Sequence, residues 1–148
     1  MFSDLSWLPP PPADFRDQAR KAKAQAAGGV AAPEIWSRAR ALASHSLDEV
    51  QLGQVAGIVR ALSGAGAAPP ARTVGLIGDG TLSLLGPAIT ASALRQNLAI
   101  QVVEGAYGAA MRDAMDPDSA LRRAQPDVVI LASDRRGLGL NRSTVSIL

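Results

Sequence analysis

Three short runs rich in β-branched residues, Thr73 to Ile77, Leu98 to Val103 and Asp127 to Ala132, are separated by segments far longer than a hairpin turn. Strands joined by such long connections are expected to run parallel, through crossovers that are almost always right-handed. The first connection carries Leu84, Ala88, Ala91 and Leu94 at helical spacing. The second holds Asp116-Pro117-Asp118-Ser119, a helix start with Asp116 as cap and Pro117 in the first turn. The order is β-α-β-α-β, a small parallel sheet with helices on both faces. Its strands end in Gly78-Asp79-Gly80-Thr81, Glu104-Gly105-Ala106-Tyr107-Gly108 and Ser133-Asp134. In an open parallel sheet that rim is where ligands bind.

A helical section precedes the sheet. Trp7-Leu8-Pro9-Pro10-Pro11-Pro12 is expected to be an extended arm, because each proline fixes its own φ and turns its predecessor away from helix. Asp14 to Ala26 is an alanine-rich helix stopped by Gly28-Gly29, and Glu34 to Ser44 a second, offering Trp36, Ala39, Leu42 and Ala43 to the core. Ser46-Leu47-Asp48-Glu49 fits a capping box with Ser46 as cap, opening a third helix. That helix carries an apolar stripe of Leu47, Val50, Val55, Ile58, Val59 and Leu62. Gly64 to Pro70 is a connector. Residues 1–66 therefore form a proline arm and helical section that packs on the α/β section of residues 67–148, the two making one domain.

Several function classes are excluded by composition. The 148 residues include no cysteine, which removes disulfides, thiolate metal sites and a cysteine nucleophile. The 15 basic and 13 acidic residues are interspersed along the chain, so no basic face stands out and no nucleic-acid partner is expected. No window has the length and apolarity of a membrane span, and the start lacks a basic region followed by an apolar one. A cytoplasmic protein without membrane association is expected.

The rim offers few catalytic groups. Asp79-Gly80-Thr81 resembles the Asp-x-Asp-Gly-Thr loop of haloacid dehalogenase phosphatases, but Ile77 stands where the nucleophilic aspartate belongs. The Gly-Asp-Ser block of SGNH hydrolases offers a second comparison, and there Gly80 takes the place of the serine. Thr81 has a hydroxyl, displaced by one residue. The only histidine, His45, lies in the helical section and is expected to have a surface or packing role. Tyr107 suits either covering a ligand or shielding the sheet edge, the second being the commoner use. Asp134 is placed to meet a hydroxyl or metal at the rim. The ligand-binding set is thus Gly78, Asp79, Gly80, Thr81, Gly105, Tyr107, Gly108 and Asp134, with Asp79, Thr81 and Asp134 the weak catalytic candidates. No metal site is expected.

Trp7-Leu8-Pro9, Asp14-Phe15-Arg16, Glu104-Gly105-Ala106-Tyr107-Gly108, Asp116-Pro117-Asp118-Ser119-Ala120-Leu121 and Pro126-Asp127-Val128-Val129-Ile130-Leu131 together resemble the front segment of FkbH-like proteins. These belong to the haloacid dehalogenase IIIC group. The resemblance runs from Trp7 to Leu138 and implies a truncated SGNH- or flavodoxin-like fold. In that family a haloacid dehalogenase-type domain follows, holds Mg²⁺, and takes part in loading a glyceryl unit onto an acyl carrier protein for polyketide-type biosynthesis. Here Ala106 stands where an acidic residue is common, and the chain reaches Leu148 without an Asp-x-Asp-Gly-Thr loop.

The expected role is therefore a non-catalytic accessory or binding domain, without its own cofactor, that presents an acyl carrier protein, a ligand or a haloacid dehalogenase-type catalytic domain. The alternative is an ester or thioester hydrolase with Thr81 as a non-standard nucleophile. Thr144-Val145-Ser146-Ile147-Leu148 suits pairing along a sheet edge or with another copy, so a homo-oligomer is also expected.

Overall fold

Asp48, not Ser46, opens the third helix. A computed structural model describes residues 7–28, 32–66, 72–78, 82–106 and 110–132. Its elements are α1 (Phe15–Ala27), α2 (Ala32–Ala43), α3 (Glu49–Gly64), β1 (Arg72–Gly78), α4 (Leu82–Arg95), β2 (Ile100–Glu104), α5 (Ala110–Met115), α6 (Ala120–Ala124) and β3 (Val128–Ala132). The protein is α/β, with helices followed by a three-stranded parallel sheet of order β2-β1-β3. It divides into two compact units, one of residues 1–71 and 87–101, the other of residues 72–86 and 102–148. The division cuts α4 between Gly86 and Pro87, where proline removes one helical N–H.

Small side chains let the helical unit pack closely. Ala19, Ala22 and Ala26 of α1, Ala39 and Ala43 of α2, and Ala91 of α4 are buried with Phe15, Leu42, Ile58 and Leu62 in one cluster. The capping box at the start of α3 uses Asp48 and Gln51, each side chain bonded to the other's backbone N–H at 2.8 and 2.9 Å. With Asp48 as cap, Leu47 and Leu52 take the two staple positions, and both join the core. A cap at Ser46 would instead assign the second position to Val50, which is 68% exposed. Ser46 has a different task, its N–H donating to the Pro9 carbonyl at 2.8 Å and tying down the proline arm.

Two arginines exchange helix ends. Arg95 of α4 donates to the carbonyls of Ala43, the last residue of α2, and of His45 just beyond it, while Arg40 of α2 donates to the Leu94 carbonyl near the end of α4. Carbonyls at a helix C-terminus lack intrahelical donors, so each contact supplies a missing partner. Burial lowers the pKa of Arg95 from its ordinary value. α4 then closes in a Schellman turn, with Asn97 at φ +59° and the N–H groups of Asn97 and Leu98 bonded to Leu94 and Ala93. This turn takes Leu98, expected in a strand, so β2 begins at Ile100. Trp36 donates to the Asn97 side chain at 3.0 Å.

In the second unit β1 is the central strand, and Val74 to Gly78 are all buried. It pairs in parallel with β3 from Val74 opposite Val128 to Gly78 opposite Ala132. Val128, Val129 and Leu131 of β3 remain exposed, so the coverage expected on both faces is found at β1 but not at β3. The helix expected to start at Asp116 begins instead at Ala120, with Ser119 as its cap, and a second short helix, α5, ends just before Asp116. Asp116 accepts from the Asp118 N–H in a local turn, and Ser119 caps α6 through the Arg122 N–H.

Asp127 aligns β1 and β3 at their entrance. Its carboxylate accepts from the Thr73 N–H at 2.7 Å and from Arg72 at 2.9 Å, and its own N–H donates to the Thr73 carbonyl. The Thr73 hydrogen bond, followed by Arg72, lowers its pKa below the ordinary value. A depressed carboxylate contributes stability above its unfolded pKa of about 3.9 and loses it as pH falls through the folded value. Thermal melts of Asp127→Asn are therefore expected to lie below wild type near neutrality and to converge with it as pH drops below about 4.

Candidate functional site

The described part of the rim is assembled from backbone. β1 ends at Gly78, whose φ of +152° is accessible to glycine and strained for other residues. A Cβ there would run into the Ala132 carbonyl, so the strand ends approach as closely as they do only because position 78 has no side chain.

β2 ends in a second close approach. Gly105 donates its N–H to the Leu76 carbonyl at 2.7 Å. An added Cβ would lie 2.7 Å from Ile77 Cγ2 and 2.9 Å from Asp113 Oδ2. Asp113, with its side chain 13% exposed, accepts the Ala106 N–H at 2.8 Å. Its backbone carbonyl accepts the Ser119 hydroxyl at 2.7 Å, and Ser119 Oγ in turn caps α6 by accepting the Arg122 N–H. The loop after β2 is thereby tied through Asp113 to α5 and, through Ser119, to α6. On the other side a Cβ on Gly86 would come within 2.9 Å of Glu104 Oε1, so α4 lies close against the end of β2.

Of the candidates read from sequence, the structure brings Gly78 and Gly105 to this rim. Asp79, Gly80, Thr81, Tyr107, Gly108 and Asp134 lie outside the described residues. Asp113 was not among the candidates, because no motif surrounds it. The available signal was a carboxylate in the first turn of a helix shortly after a glycine-rich strand end. His45 belongs to the helical unit, where its Nδ1 lies 3.2 Å from the Leu42 carbonyl.

Among the described residues no group of three or more His, Asp or Glu side chains is placed to hold a metal ion. None of the described helices is long and apolar enough to cross a membrane. The arrangement offers close backbone approach and the Glu104 carboxylate, a chemistry suited to holding a polar group, while the Gly105 and Ala106 N–H groups are engaged within the protein. No family model, curated protein or solved structure matches the chain.

Substitution separates the tight glycines from a permissive one. Gly78→Ala and Gly105→Ala are expected to lose about 2 kcal/mol each through strain and steric conflict. Gly64, with nothing within 4 Å of an added Cβ, is expected to tolerate alanine without loss. Thermal unfolding followed by circular dichroism checks the order.

Proposed function

We propose that this chain is a non-catalytic accessory or binding domain whose strand-end rim faces a ligand or partner. The observation that carries this reading is the commitment of Asp113, a mostly buried carboxylate among the rim's described residues, to a backbone N–H. A group held there as an acceptor serves loop geometry, not proton transfer to a substrate. The sequence adds Ile77 and Gly80 at the positions where the two comparable hydrolase loops carry their nucleophiles.

The resemblance to the front segment of FkbH-like proteins names the partners this reading favours. They are an acyl carrier protein and a haloacid dehalogenase-type catalytic domain, which would hold the Mg²⁺ and perform the glyceryl transfer. On this reading Gly78, Asp79, Gly80, Thr81, Gly105, Tyr107, Gly108 and Asp134 contact the bound group.

A panel of p-nitrophenyl esters, acyl thioesters and phosphate monoesters tests the absence of catalysis, with Thr81→Ala and Asp79→Asn as controls. The expected result is no turnover by wild type above either variant. Turnover abolished by Thr81→Ala would replace this proposal with the ester or thioester hydrolase. Titration with a holo acyl carrier protein supplies the binding arm. Asp79→Asn and Asp134→Asn are expected to weaken binding more than they lower the melting temperature.

A further inference from the structure

The helical unit contains a groove that its own packing does not explain. It lies between α1 and α3, has a volume of about 590 Å³, and is lined by Arg16, Arg20 and Lys23 on one side and Val50, Gly53 and Gly57 on the other. The three cations are spaced by four and three residues, so they form one stripe along about 10 Å of α1. Asp17 also lines the groove and pairs with Arg20 at 3.0 Å. The other ion pairs among the described residues join Arg72 to Asp127 and Arg112 to Asp113, which leaves Arg16 and Lys23 as uncompensated cations. The even distribution of charge along the sequence conceals this stripe, because helical spacing gathers residues that sequence order keeps apart.

The facing wall is unusual in a second way. Val50, Gly53 and Gly57 also follow three- and four-residue spacing. Glycine inside a helix costs about 1 kcal/mol relative to alanine. Internal packing does not require glycine at either position. A Cβ at Gly53 meets nothing within 4 Å, and one at Gly57 would make ordinary 3.7 Å contacts with the Lys23 side chain. α3 thus leaves its surface bare at Gly53, beside a basic stripe whose Lys23 side chain lies over Gly57, with the exposed Val50 as an apolar contact at one end.

We propose that this groove docks an acidic amphipathic helix of a partner protein. Carboxylates at i, i+4 and i+7 match the spacing of Arg16, Arg20 and Lys23, and an apolar side chain between them rests on Val50 and the open surface at Gly53. Inorganic phosphate or a nucleic-acid backbone satisfies the cations but leaves Gly53 and Val50 uncovered. The inference stands on the helical unit alone and does not rest on the rim or on the family resemblance.

The test uses the full chain, ¹⁵N-labelled, and a helical peptide with Glu at i, i+4 and i+7 and Leu at i+3. The expected result is saturable binding that shifts the amide signals of Gly53 and Gly57 and weakens with added salt. A peptide with Gln in place of Glu is expected to bind at least about tenfold more weakly, as are Arg16→Glu and Lys23→Glu variants of the protein. Gly53→Leu fills open space, so it is expected to melt no lower than wild type while losing about tenfold in affinity. Absence of saturable binding would overturn the proposal. So would equal binding by Gly53→Leu and the charge-reversed variants, equally tight binding of a single-stranded oligonucleotide, or full displacement of the peptide by equimolar inorganic phosphate.

Discussion

Burial of β1 between two parallel neighbours constrains everything at the rim. Its last five residues are enclosed, and neighbours come so close, backbone at Gly78 and side chains at Gly75 and Gly105, that an added Cβ would collide at each. Position 75 is glycine because a Cβ would collide with Leu121 Cδ1 beneath α6. Position 78 is glycine because the end of β3 crowds it, and position 105 because Ile77 and Asp113 do. The rim's geometry is therefore a product of sheet packing. Polar groups such as Asp113 fasten loops onto a backbone frame that close packing has already shaped.

The helical unit uses small side chains to the same end. Alanine-lined seams bring α1, α2 and α3 together, and Phe15 is the large ring anchor among them. Arginines exchanged between α2 and α4 satisfy carbonyls at both helix ends, where buried backbone groups would otherwise carry a desolvation cost. The groove beside Gly53 and Gly57 lies between two of these helices, α1 and α3.

The strands were legible because β-branched runs between long crossovers admit few arrangements. The three strands occur in the expected order, with two short helices, α5 and α6, where one was expected between β2 and β3. Local competition decided what was misread. Two overlapping capping patterns compete at Ser46 and Asp48, and the one that buries both Leu47 and Leu52 prevails. Leu98 belongs to the turn that ends α4, and periodicity alone does not reveal a left-handed Asn97. Val50 fits the apolar stripe by spacing, yet it lies one residue too far round the helix to reach the core. At the rim, glycines signalled close approach, while Asp113 gave no motif because its role depends on tertiary placement. The acidic and hydroxyl candidates at positions 79, 81 and 134 lie outside the described residues.

If the rim is a preset backbone frame, its loop must be ordered before any ligand arrives. Amide hydrogen exchange of the ligand-free chain, wild type beside Asp113→Ala, measures this directly. The account predicts that the Ala106 amide exchanges much more slowly than an unstructured peptide in wild type and loses that protection in the variant, while the Gly105 amide keeps its bond to Leu76. An Ala106 amide that exchanges freely in wild type would contradict it, leaving the rim to be shaped by whatever binds there.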